Sequence, residues 1–160
     1  MVKLYSNGKD VIQLWREAFG DSEEDIRFFL ENTQHAQLVA HYEGDELAAM
    51  LFAVDCQLND RRAKYIYAAC TAKRFRGKGY MTQLLELCKK DFAIVCLIPA
   101  DDALAEYYRR RGFADEAEIE KLTFDETKEI QEYLLDGYHL TDPKVQYYNG
   151  VKDNGIFVFG

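Results

Sequence analysis

The stretch Thr71-Ala72-Lys73-Arg74-Phe75-Arg76-Gly77-Lys78-Gly79-Tyr80 joins one apolar run to another. Before it, Lys64 to Thr71 reads as a strand rich in Tyr, Ile and Ala. After it, Gly77 to Phe92 reads as a helix with Met81, Leu84, Leu85, Cys88 and Phe92 on one face. Lys89 and Lys90 fall in its last turn, where cations suit the helix dipole. The stretch is therefore a strand-to-helix turn. Free N–H groups at a helix start point outward and carry partial positive charge. Gly77 and Gly79 let the backbone come close to a bulky anion. Lys73, Arg74, Arg76 and Lys78 add a local positive field. Together these features make an anion site, best suited to a pyrophosphate.

Two other phosphate motifs fail on spelling. A Walker A loop needs a glycine five residues before its lysine and a Ser or Thr after it. Here Lys73 stands at the first place and Gly79 at the second. A dinucleotide fingerprint needs a third glycine where this chain has Thr82. The plain structural alternative is a solvated basic turn.

Outward from the turn, Val11, Leu14, Trp15, Ala18 and Phe19 recur at helical spacing, with Gly20 as a stop. Asp21 or Ser22 caps a second helix with Ile26, Phe29 and Leu30 as its apolar stripe, and Asp21 with Glu24 has the form of a capping pair. Strands follow at Gln37 to Tyr42 and Leu47 to Leu58, with turns at Gly44-Asp45 and Asn59-Asp60-Arg61. Beyond the central helix, Ala93 to Ile98 is wholly apolar, as for a strand buried on both faces. Asp101 or Asp102 caps a helix bearing Leu104, Tyr107 and Tyr108, which Gly112 ends. Glu118 to Phe124 reads as a strand and Glu126 to Leu135 as a helix. Turn signals then run from Asp136-Gly137 to Asn154-Gly155, and Ile156 to Phe159 reads as a last strand. Strands joined by short turns should be antiparallel, and strands joined through helices parallel. A mixed sheet with helices on both faces results.

Arg74-Phe75-Arg76-Gly77-Lys78-Gly79 resembles the acetyl-CoA motif Gln/Arg-x-x-Gly-x-Gly/Ala of the GNAT superfamily of N-acetyltransferases. Leu104 to Phe113 resembles the second signature of that family, a helix with Tyr four residues before Gly-Phe, here Tyr108 before Gly112-Phe113. The resemblance covers about Leu4 to Phe124. It departs from the pattern at Lys73, where a proline is frequent. Leu14 to Asp21 and Leu97 to Ala100 look like a bacterial subgroup of unassigned substrate. The resemblance implies an α/β (α+β) fold with a mostly antiparallel central sheet. It implies that amides from about Phe75 to Tyr80 hold the pyrophosphate of acetyl-CoA, and that Ala69, Cys70 and Thr71 pair with the pantetheine arm. It places Asp101 at a helix start beside the cofactor and gives Tyr108 the task of protonating the departing thiolate. A phenol suits that task because its pKa lies near that of an alkyl thiol. Simple amphipathic packing is the alternative for Tyr108 and the preferred reading for Tyr107. The resemblance also implies a final strand beside the one ending near Phe124, a place that Ile156 to Phe159 can fill.

The expected reaction is direct acetyl transfer to a primary amine of a small molecule or peptide, with the Thr71 N–H or a neighbour polarising the carbonyl. Cys70 lies near this point, yet no histidine is near it in sequence to activate a covalent route. Asp55, Tyr67 and Glu24 are candidate bases. Asp21, Glu23, Glu24 and Asp25 favour a cationic amine, or else simply charge a first helical turn. A non-catalytic acyl-CoA-binding module of the same fold is the alternative function, and an interaction protein with a solvated turn is a third.

The rest of the composition is consistent with this. The 160 residues fit a single domain, 1–160, with a core at about 4–124 and an extension at 125–160. A formal charge of -8 argues against a general nucleic-acid binder. Cys56, Cys70, Cys88 and Cys96 lack metal-ligand spacing and sit in apolar runs, so buried reduced thiols and no metal are expected. No apolar run reaches 18 residues, so no membrane span and a cytoplasmic location are expected. The aromatic tail around Tyr147, Tyr148 and Phe157 offers a homodimer surface.

Overall fold

A computed structural model gives the fold and describes residues 8–136, 138 and 140–151. Two helices, α1 (Lys9–Phe19) and α2 (Glu23–Asn32), precede three long strands, β1 (Ala36–Glu43), β2 (Glu46–Leu58) and β3 (Arg61–Thr71). Then come α3 (Tyr80–Asp91), β4 (Ile94–Leu97), α4 (Asp102–Arg109), β5 (Asp115–Ala117), β6 (Leu122–Phe124), α5 (Lys128–Leu134) and β7 (Val145–Asn149). The sheet runs β1-β2-β3-β4-β7-β5, and β6 pairs with the end of β2. Among the described residues only the β3–β4 pairing is parallel, as expected for strands joined through α3. The fold is thus the mixed, mostly antiparallel sheet with helices on both faces that the sequence implied. No helix of the described residues is long and apolar enough to cross a membrane.

β2 shows why two helical layers are needed. Met50, Phe52 and Val54 face one cluster with α1, α2 and α5, while Ala49, Leu51 and Ala53 face a second with α3. The side-chain period of two splits one apolar run between two cores. Trp15 anchors the first core. It is 1% exposed and its ring meets Phe29, Phe52 and Tyr67 at 5.4, 5.8 and 5.9 Å. Aromatic contacts of this kind add about 0.5–1.5 kcal/mol each beyond area burial.

Several boundaries differ from the sequence reading. The central helix begins at Tyr80, because Arg76 to Gly79 form the turn itself and a short 3-10 turn spans Lys73–Phe75. Ser22, and not Asp21, caps α2 by accepting from the Asp25 N–H at 3.1 Å. Asp21 accepts from Trp15 Nε1 at 2.9 Å instead. The strand read over Glu118 to Phe124 is broken: β5 ends at Ala117, Ile119–Lys121 is a 3-10 turn, and β6 pairs with β2. Thr127 caps the helix read from Glu126, which therefore starts at Lys128. Ile156 to Phe159 lies outside the described residues.

The largest difference is β7, which the turn-rich tail did not reveal. It runs antiparallel to both β4 and β5 and separates them. The segment after Phe124 thus contributes to the body of the fold, through β7 and through Ile130 and Leu134 of α5 in the first core. Tyr147 and Tyr148 are half-buried and pack against opposite cores, and Phe157 lies outside the described residues.

Candidate active site

The site is made by a strand that loses a neighbour. β3 and β4 pair only at Lys64↔Val95 and Tyr65↔Cys96. Beyond Tyr65, β3 keeps β2 on one side and has no strand on the other among the described residues. The divergence coincides with an irregularity in the β2–β3 register between Met50 and Phe52. There Ala68 adopts φ 55, a left-handed conformation that costs a non-glycine residue about 1–2 kcal/mol. Such strain persists where surrounding structure enforces it and is frequent at functional sites. After the irregularity, Ala72 donates to Ala48 O at 2.8 Å, towards β2. Alternation along the strand then turns the amides of Ala69 and Thr71 to the open edge.

The glycine turn follows directly. Gly77 and Gly79 have φ 79 and 82, which L side chains rarely adopt. A Cβ at either would meet nothing within 4 Å, so the space above the turn is open. Gly79 is the N-cap of α3 and provides no side-chain cap, which leaves the first amides of that helix for an outside acceptor. The basic side chains divide. Arg74 pairs with Glu46 at 2.7 Å and lies over the Phe75 ring, while Arg76 Nε donates to Thr71 O at 3.3 Å. Tyr80 stacks on His41 at 4.1 Å and donates to Glu43 at 2.7 Å. Lys78 makes no ion pair among the described residues, and its charge acts on Glu43. The hydrogen bonds from His41 and Tyr80 hold the Glu43 carboxyl below its ordinary range.

A cavity of about 390 Å³ occupies the divergence. One wall is β3 from Tyr65 to Ala69, and another is Leu97 to Ala100 at the end of β4. Leu104 and Tyr108 of α4 face it, as do Trp15 and Phe19 of α1. Asp21, Asp25, Tyr133, Leu134, Asp136 and Tyr138 complete the lining. Tyr108 packs edge-on to Tyr107 and Phe113, at centroid separations of 5.1 and 6.0 Å. Its hydroxyl has no hydrogen-bond partner among the described residues. Burial, with Tyr107 and Cys70 nearby, pushes its phenol up to about 12. Burial likewise pushes the Cys70 thiol up to about 12, with Glu17 adding to the effect. Both groups are therefore protonated near neutral pH.

Of the expected site residues, Ala69 and Tyr108 line this cavity, while Cys70, Thr71 and the turn from Phe75 to Tyr80 continue the chain beyond its lining. Asp101 is used as a cap, its Oδ1 accepting from the Leu104 N–H at 2.8 Å. Of the candidate bases, Tyr67 lines the cavity, but burial raises its phenol far above the usual value. Asp55 is tied to Lys64, and Glu24 does not line the cavity.

Five residues escaped the sequence reading as contributors to this site. Tyr133, Asp136 and Tyr138 come from the tail. Trp15 orients Asp21, though periodicity marks it only as core. Gln146, 2% exposed, donates through Nε2 to Ala105 O at 3.1 Å and to Phe113 O at 3.0 Å. It thereby fastens the segment that carries Tyr108 to β7. A polar residue inside an apolar strand, Val145-Gln146-Tyr147, was the available signal.

A diverging strand pair, a glycine turn at a helix start and a half-buried tyrosine on α4 define an acyltransfer fold. The family model for the GNAT acetyltransferase domain matches residues 6–115, and the chain belongs to that family. A GNAT family acetyltransferase from Staphylococcus aureus superposes with a TM-score of 0.58 at 14% identity, covering 94% of this chain and 97% of that one. A GNAT family N-acetyltransferase from Escherichia coli, solved in complex with CoA, gives a TM-score of 0.53 at 12% identity, covering 94% and 89%. The chain spans only 30% of the length of a GCN5-related N-acetyltransferase from Anabaena variabilis, at 22% identity over 66% of this chain and a TM-score of 0.48. It likewise spans 30% and 16% of two other matched structures, from Enterococcus faecalis and from a fungal multi-domain β-N-acetylglucosaminidase. No curated protein sequence matches it.

Proposed function

We propose that the protein transfers an acetyl group from acetyl-CoA to a primary amine by direct attack in a ternary complex. The observation that carries this reading is the loss of β4 as a neighbour beyond Tyr65, which opens β3 beside both the glycine turn and Tyr108. The amides of the turn and of the start of α3 hold the pyrophosphate, with Lys78 beside them. Pantetheine lies along Ala69 to Thr71, and an amide of this edge polarises the thioester carbonyl.

The amine nitrogen attacks the carbonyl carbon, the C–N bond forms, and the C–S bond breaks. With its phenol raised to about 12, Tyr108 donates a hydrogen bond to the leaving sulfur. It does not hand over its proton outright, because a thiolate with a pKa of about 8.5 is the weaker base by several units. The proton released from nitrogen goes to solvent, and CoA leaves as thiolate or thiol according to pH. The Cys70 thiol, neutral at this pH, is a poor nucleophile, which favours direct transfer over an acyl-enzyme.

The test is a thiol-release screen with acetyl-CoA against amines, amino acids and peptides, run beside thermal unfolding with acetyl-CoA. Stabilisation together with amine-dependent thiol release supports the reading, since a ligand that binds only the native state raises its apparent stability. Stabilisation without release by any amine would mark a binding module. No stabilisation would remove acyl-CoA from the account.

A further inference from the structure

The acceptor side of the cavity has a one-sided charge. Asp21, Asp25 and Asp136 line it, and none of the described lining residues is Lys, Arg or His. None of these three carboxylates makes an ion pair among the described residues. Their charge is thus left for a ligand. Asp21 is half-buried and fixed by Trp15 Nε1, while Asp25 and Asp136 are exposed at the rim.

Two further observations show that the cavity is built to be filled. Phe19 and Leu104, on opposite walls, are 47% and 36% exposed, although most large apolar side chains of this protein are covered. Tyr108, half-buried against Tyr107 and Phe113, presents its ring to the same cavity. Tyr67 and Tyr133, linked to each other by a side-chain hydrogen bond, add flat faces next to Asp21. A volume of about 390 Å³ suits a small molecule.

We infer that the acceptor is an aliphatic amine carrying a second cationic centre, the diamine and polyamine class, with its distal ammonium held by Asp21, Asp25 and Asp136. This rests on the acetyl-transfer reading above. The chemistry of such a substrate also meets the need for a neutral nucleophile. A second ammonium a few carbons away lowers the pKa of the near amine, and desolvation against Leu97, Ile98 and Leu104 lowers it further. The near nitrogen attacks neutral at the Tyr108 end, while the far nitrogen stays charged at the acidic end. Aromatic faces at Tyr67 and Tyr133 suit an ammonium as well as its methylene chain.

A matched series decides it: 1,4-diaminobutane, pentylamine and 5-aminopentanoate share a chain and differ at the far end, which is an ammonium, a methyl or a carboxylate. The full chain is assayed for thiol release with acetyl-CoA, and binding of each amine to its CoA complex is measured by calorimetry. The diamine should exceed pentylamine in kcat/KM by about tenfold, the sum of several screened charge contacts, and 5-aminopentanoate should be the poorest. Replacing Asp25 and Asp136 together by Asn should shrink the diamine preference to about threefold or less, with stabilisation by acetyl-CoA retained as the folding control. Equal or reversed ranking in turnover overturns the inference. So does a diamine that binds the CoA complex no better than 5-aminopentanoate when none is turned over, or a double variant that keeps the full preference. Loss of acetyl-CoA stabilisation in the unmodified chain is a different failure, that of the acetyl-transfer reading itself.

Discussion

The two ends of the site are built in different ways. The proposed donor end is nearly continuous in sequence: the open edge of β3, the glycine turn and the start of α3 fall within residues 66–82. The acceptor end is assembled from α1, the start of α2, the close of β4, α4 and the segment after α5. The first is a local device, whose shape follows from positive φ at two glycines and from uncapped helix amides. The second is a product of packing, in which Trp15 fixes Asp21 and Tyr133 meets Phe28, Phe29 and Tyr67. A local device binds a ligand part that never changes, and a packed one can vary its lining while the sheet stays the same.

Variants at each end should separate the two. Tyr108→Phe sits at their junction and gives the largest expected effect: turnover falls about 100-fold while CoA affinity by calorimetry stays within about twofold. Undiminished turnover would strip Tyr108 of its role. Alkaline titration comes next. Tyr108 and Tyr133 face the same cavity from different elements, and burial pushes both phenols up to about 12. Their neutral forms are favoured in the folded state, so this contribution is fully present below the unfolded value of about 10 and is lost as pH rises towards 12. Unfolding free energy should drop across that window by up to about 2 kcal/mol for Tyr108 and by less for the more solvent-screened Tyr133. Stability that falls mainly below pH 9 would contradict the assignment.

Gln146→Leu leaves the carbonyls of Ala105 and Phe113 without their donor. It should cost about 1–3 kcal/mol in thermal or denaturant unfolding and lower kcat more than it raises KM for acetyl-CoA. An unchanged kcat would show that α4 is held without it. Gly79→Val forces a β-branched residue to φ 82 and puts a side chain in the open space over the turn, so CoA affinity should weaken about tenfold with the amine KM unmoved. The smallest effect belongs to Cys70→Ala. Acetyl transfer should remain within about threefold of the unmodified rate, since the thiol takes no covalent part. Complete loss with CoA binding intact would restore an acyl-enzyme route.

Much of the donor end was legible because short-range chemistry encodes it. Gly77 and Gly79 between a strand and a helix, and Tyr108 before Gly112-Phe113, are patterns of neighbouring residues. Hydrophobic alternation located β2 and β3, and helical spacing located α1, α2 and α3, because each periodicity reports which face of one element is covered. Asp55 failed as a candidate base because its partner Lys64 is set by the β2–β3 register, which no local pattern displays.

By itself, then, the sequence determined most elements up to α4, their order and the glycine turn between β3 and α3. Only the tertiary structure decided that, among the described residues, β7 divides β4 from β5, β3 stands open beyond Tyr65, and Asp136 joins Asp21 and Asp25 in one cavity with no cation in its lining. The physical reason is separation along the chain. Val145 to Asn149 reads as one more short apolar run between turn signals, and its place depends on whether its two faces and both its edges fit partners such as Ile94 and Ala117. That complementarity is a property of pairs of distant segments, so it exists only once the chain has folded.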